Sequence, residues 1–207
     1  QPEIIAPALN DNYAAGEIIS FAGEAVDAED GLLPPEAFCW RVLFHHGEHN
    51  VPFLSLDGAT NGTFTVPMRG ETATNVFFRI YLTVKDSGGR ETTTYRDVAP
   101  RTMTLTLQTE PPGLPITLDG QTFATPANVN LVANSSHNLN VAASTKIAGR
   151  DFDFMSWSDN GSPNHTIILP ETNLTLIASF RTPTVLIATN SVLKYRVAST
   201  APSSTWK

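Results

Sequence analysis

A chain of 207 residues, 41% hydrophobic and only 16% charged, can bury two cores of ordinary domain size but lacks the charges of long solvated helices. Its net charge of −7 and the absence of any basic run exclude nucleic acid as a partner, because phosphate binding needs clustered Lys and Arg. No apolar stretch approaches the ~20 residues of a membrane-spanning helix, so a soluble protein without membrane insertion is expected.

The chain opens on the polar Gln1-Pro2-Glu3, as a mature secreted chain or a cytosolic one would. Residues 18–25 make a short strand, followed by the oxygen-rich turn Asp27-Ala28-Glu29-Asp30-Gly31. From 38 to 45, Phe38, Trp40, Val42 and Phe44 alternate with Cys39, Arg41, Leu43 and His45, the period of a half-buried strand with a tryptophan on its apolar face. Cys39 is the sole cysteine, which rules out an internal disulfide and a Cys-based zinc site and reads as a small buried residue. A His-rich turn follows, then a short strand at 62–67. Residues 76–84 alternate perfectly: Val76, Phe78, Ile80, Leu82 and Val84 share one face, and Phe77, Arg79, Tyr81 and Thr83 the other. Asp86-Ser87-Gly88-Gly89 turns the chain into a Thr-rich strand at 91–98, completing a hairpin.

Ala99-Pro100-Arg101 reads as a seam. Beyond it Met103, Leu105 and Leu107 alternate with threonines, and Asp119-Gly120 is a hairpin signal between strands at 114–118 and 122–124. Further strands are expected at 138–142, 151–157, 166–169 and 174–180. No stretch keeps a helical period. The expected fold is all-β: two tandem antiparallel, immunoglobulin-like β-sandwich domains at 1–99 and 100–181, plus an extended C-terminal tail at 182–207. That tail holds two apolar runs but is too short for a core of its own, so it is either the start of a truncated third module or a segment that packs on something else.

Residues 1–99 resemble the PKD-like branch of immunoglobulin-like domains in secreted bacterial proteins. The resemblance is carried by Tyr13-Ala14-Ala15-Gly16-Glu17, the segment from Phe21 to Gly31, Phe38-Cys39-Trp40-Arg41-Val42 and the run from Leu82 to Gly89. The His-rich run from Phe44 to Phe53, the Leu118-Asp119-Gly120-Gln121 hairpin and the Ser156-Trp157-Ser158-Asp159-Asn160-Gly161 turn resemble modules appended to secreted sugar dehydrogenases of the sorbosone type. The likeness implies an accessory role and carries over no catalytic residue.

Three constellations are candidates for chemistry. His45, His46 and His49, with Glu48 among them, have the ligand types of a transition-metal site, although neighbouring strand residues point to opposite faces; the alternative is a polar hairpin. Asp27, Glu29, Asp30 and Asp86 lie in turns that a sandwich places at one end, where calcium could be bound; the alternative is plain turn chemistry. Trp157, Tyr81 and Tyr95, with Phe77, are candidate carbohydrate-binding rings, Trp157 reading also as a core residue. No nucleophile elbow, paired catalytic carboxylates or phosphate-binding loop can be singled out, so no enzyme is expected, and no cofactor is required, calcium at the acidic turns being the one candidate. Five sequons, at Asn61, Asn134, Asn160, Asn164 and Asn173, favour a secreted or cell-surface location. The functional expectation is a non-catalytic extracellular module: a spacer, adhesion or self-assembly unit, with strand donation from the tail as one route. Its partners would be other domains of the same protein or neighbouring copies. The competing expectation is a carbohydrate-binding accessory domain with polysaccharide as ligand.

Overall fold

Alternating apolar residues become strands when one face of each can be buried, and that happens throughout the computed structural model, which describes residues 1–69 and 74–183. The described residues form strands, turns and one 3-10 turn at Pro35–Ala37, with no α-helix among them. The tail from 184 onward, with the strand-donation idea attached to it, lies outside the described residues.

The first nine strands are β1 (Pro2–Ala6), β2 (Asn12–Tyr13), β3 (Ile18–Asp27), β4 (Gly31–Leu32), β5 (Phe38–His46), β6 (His49–Asp57), β7 (Asn61–Thr65), β8 (Val76–Lys85) and β9 (Glu91–Pro100). β1, β4 and β7 pair with β3 in one sheet; the other runs β2-β9-β8-β5-β6. All these pairs are antiparallel except the short β2–β9 contact. The two sheets face each other as an immunoglobulin-like sandwich. Val76, Phe78, Ile80, Leu82 and Val84 of β8 are all buried, as are Phe38, Trp40 and Val42 of β5, against Ile19, Phe21 and Ala25 of β3. Trp40 stands at the centre, 4.8 Å from the Phe21 ring, and its indole N–H donates to the Ala59 carbonyl at 2.8 Å.

The His-rich run is a tight hairpin rather than an open turn. β5 continues to His46, Gly47 adopts φ +54° at the bend, and β6 returns from His49. β6 is the edge of its sheet, so Pro52 removes no ladder bond that a further strand would need.

The remaining strands are β10 (Thr102–Glu110), β11 (Pro115–Leu118), β12 (Gln121–Ala124), β13 (Ala127–Val132), β14 (Ser136–Asn140), β15 (Ser144–Ile147), β16 (Arg150–Trp157), β17 (Asn164–Ile168) and β18 (Leu174–Arg181). They form a sheet β13-β10-β18-β16-β15 and a second, β12-β11-β14-β17. β10 and β18 run parallel; the other pairs are antiparallel. Between the sheets lie Leu105, Leu107, Ile116, Leu118, Leu139, Trp157, Leu176 and Phe180. Asp119 and Gly120 take φ +48° and +85°, the left-handed pair of a two-residue hairpin turn.

The path of the chain is directional. Pro2 pairs with Ala25, and the terminal amine of Gln1 donates to the Val26 carbonyl, so the chain starts at the end of the first sandwich that carries the β8–β9 turn. β9 then runs to the opposite end, a single residue, Arg101, separates it from β10, and β10 runs away again. Ser179 of β18 pairs with Glu110 at the far end of β10, so the last described strand finishes at the outer end of the second sandwich.

Candidate functional site: the junction between the sandwiches

Arg101 is the residue on which the two sandwiches meet. Its backbone N–H donates to Tyr13 O at 2.7 Å, and its carbonyl accepts from Ala133 N–H at 2.8 Å. One terminal nitrogen donates to Glu17 and lies 3.6 Å from Glu171; the other donates to Asn12 Oδ1 at 3.2 Å. Glu17 belongs to the first sandwich and Glu171 to the second, so one guanidinium ties both. Burial alone would raise the Glu17 carboxyl, but the Ala14 N–H at 2.8 Å and then Arg101 outweigh it and hold the group below its ordinary value.

Around this ion pair the main chains are bonded directly. Ala15 N–H donates to Ala133 O at 2.8 Å, and Ser136 N–H donates to Met68 O at 2.9 Å. Arg69 Nε donates to Ser136 Oγ at 3.2 Å. Val132, at the end of β13, packs into the first core. The 132–136 turn of the second sandwich is thus shared structure.

That turn is braced from behind by an arrangement the sequence did not disclose. Ser135 Oγ lies 2.6 Å from His137 Nε2, and His137 Nδ1 lies 2.6 Å from Asp119 Oδ2. This is the order of groups in an acyl-transfer triad. Ser135 and His137 are buried, and the Ser135 hydroxyl also reaches the Val132 carbonyl. The surrounding N–H groups, which would have to receive an oxyanion, are all engaged: Ala133 to Arg101 O, Asn134 to Leu169 O, Ser135 to Val132 O and Ser136 to Met68 O. The cluster links the Asp119 hairpin to the junction turn. The i, i+2 spacing of Ser135 and His137 would have placed them on one strand face, but only the fold brings in Asp119.

The histidine candidates are dispersed. His45 lies stacked on Phe77 at 4.6 Å with Nε2 buried and unpartnered among the described residues, while His46 and His49 face each other across the hairpin at exposed positions. The acidic turns do meet at the outer end of the first sandwich, where Asp30 accepts from the Ser87 N–H at 2.9 Å and its hydroxyl at 2.7 Å. Asp27 Oδ1 accepts from the Asp30 and Glu29 N–H groups, which depresses its carboxyl, and Asp86 Oδ1 accepts from Arg90 N–H; Glu29 is exposed. Those carboxylates serve as turn caps. Among the described residues no three His, Cys, Asp or Glu side chains group as metal ligands.

Trp157 is 2% exposed, packed on Phe154 and His165, so its ring is not at the surface. Tyr81 and Tyr95 pair across β8 and β9 on the outer sheet face at 5.9 Å, with Tyr95 exposed and the Arg79 guanidinium 4.2 Å above its ring. Of the sequon asparagines, Asn61, Asn160, Asn164 and Asn173 are exposed, whereas Asn134 is half-buried at the junction and donates to Glu171 at 3.0 Å.

No family model and no curated protein matches the chain. Among solved structures it is similar to fibronectin(III)-like modules of CbhA from Clostridium thermocellum, at 12% identity and a TM-score of 0.30, over 86% of this chain and 94% of that one. It is also similar to a Ca2+-stabilized adhesin by which an Antarctic bacterium binds ice, at 11% identity and a TM-score of 0.24, over 84% of this chain and 48% of that one. Neither is a PKD domain or a sugar-dehydrogenase module, and at these scores the architecture rests on the chain's own strand pairing.

Proposed function

We propose that the chain is a non-catalytic structural module of a secreted or cell-surface protein, a stiff in-line spacer between whatever precedes and whatever follows it. The observation that carries this reading is the junction: one residue between β9 and β10, main-chain bonds across it, and Arg101 paired to a carboxylate on each side. Flexible linkers behave otherwise, with polar residues and few contacts crossing them. The chain also enters at one outer end and reaches Arg181 at the other, which is the connectivity of units strung in series. Its partners are then the flanking domains or neighbouring copies. Backbone 15N relaxation tests the reading: both sandwiches should report one common, anisotropic tumbling time. Two distinct times, each of a ~100-residue body, would refute it.

Carbohydrate binding is the second reading, favoured by the pairing of half-buried Tyr81 with exposed Tyr95 beside Arg79 and Asp97. Retention on insoluble polysaccharide, lost in Tyr95→Ala, is its signature.

A further inference from the structure

A cavity of about 270 Å³ opens where the two sandwiches meet. Its floor is Phe78, against which Tyr13, Phe44 and Phe53 pack edge-on or tilted at ring separations of 5.2, 5.0 and 4.9 Å. Interlocked rings of this kind hold their shape, so the space is pre-formed rather than awaiting rearrangement. Val51 of the edge strand β6 forms an exposed wall, and Val132 closes the side contributed by the second sandwich.

The polar groups are few and placed at the margin. Among the lining residues Arg69 is the one charged side chain, and it is solvent-exposed. Burial raises the Tyr13 phenol above its ordinary value, so it stays protonated and can donate. The Ser135 hydroxyl, by contrast, is already committed to Val132 and His137.

We infer that this junction cavity binds a small amphipathic anion: a fused-ring or branched hydrocarbon lying on Phe78, with a carboxylate or sulfonate held at the Arg69 rim. The size sets the upper limit, since about 270 Å³ falls just below the ~300–1,000 Å³ of ordinary ligand pockets. The charge sets the sign, because Arg69 is the one charge among the described residues that line the cleft, and a cation there favours an anion over a neutral or cationic head group. A ligand seated there touches both sandwiches and adds to their coupling.

Titration of the full chain with 1-anilinonaphthalene-8-sulfonate tests the site, with uncharged N-phenyl-1-naphthylamine as the comparison. The expected result is saturable one-to-one binding of the sulfonate. Arg69→Glu should weaken the sulfonate at least fivefold while leaving the uncharged dye within twofold. Val51→Trp, at a position 60% exposed and so tolerant of a larger side chain, should weaken both at least tenfold by filling the cavity. Independently of any variant, sulfonate-induced methyl shifts should concentrate on Val51, Val66 and Val132. Unsaturable binding, an unaltered affinity in Val51→Trp, equal losses of both dyes in Arg69→Glu, or shifts spread over the surface would each overturn the inference. None of these outcomes depends on the spacer reading.

Discussion

Gly23 shows how closely the first core is fitted. A Cβ there would meet Leu82 Cδ2 at 2.6 Å and the Glu3 carbonyl at 2.8 Å, and the second of these is backbone and cannot swing away. Gly23→Ala is therefore expected to destabilise by roughly 1–3 kcal/mol, the cost of overpacking, read as a lower midpoint in urea with an unchanged slope. Thr125 makes the complementary point in the second core. Its buried hydroxyl donates to Leu114 O at 2.8 Å and takes a hydrogen bond from Thr109, whose oxygen in turn accepts the Leu114 N–H at 3.2 Å. Thr125→Val keeps the shape but leaves a carbonyl and a hydroxyl unpaired, at about 1–3 kcal/mol, whereas Thr125→Ser should lose less than half as much. Neither effect is legible in the sequence, because a glycine in a strand and a threonine before a proline look like ordinary turn chemistry until the opposing sheet is in place.

At the scale of elements, what the sequence reveals depends on burial. β5, β8, β10 and β18 bury alternate residues, and their two-residue period is plain in the sequence. β6 is exposed at nearly every position and contains a proline, so it has no period to read. β15 has four residues at an edge and is likewise silent. Trp40 on the apolar face of β5 could be placed from alternation alone. The junction could not: Glu17, Arg101, Asp119, Ser135, His137 and Glu171 are spread over more than 150 residues and meet only through tertiary pairing. Protonation tests their role. Because the Glu17 pKa is depressed in the folded state, its contribution is present above the unfolded value of about 4.3 and is lost as pH falls through the folded one. Amide shifts of Ala15 and Ala133 should move together below about pH 4 while both cores remain folded. Arg101→Ala should reproduce that loosening at neutral pH at a cost of about 1 kcal/mol, since both carboxylate partners are more than a third exposed. Unmoved shifts in both experiments would remove Arg101 from the account.

For the whole molecule, the strands of both sandwiches run along one path from outer end to junction to outer end, and the function proposed follows from that geometry more than from any single side chain. A spacer transmits position only if its joint is stiff. Stiffness here comes from sharing: Val132 belongs to the first core, Ala133 and Ser136 bond to the first sandwich, and Arg101 belongs to both. The most direct measurement is a pulsed electron-spin distance between labels at Glu91→Cys and Glu110→Cys, near the outer ends of β9 and β10, in a Cys39→Ser background. A stiff joint predicts a single narrow distribution, below the ~63 Å that nineteen extended residues can span, and unchanged by crowding or temperature short of unfolding. A broad distribution, or a second population at shorter distance, would mean that the sandwiches swing about Arg101 and that the chain is not a rigid spacer.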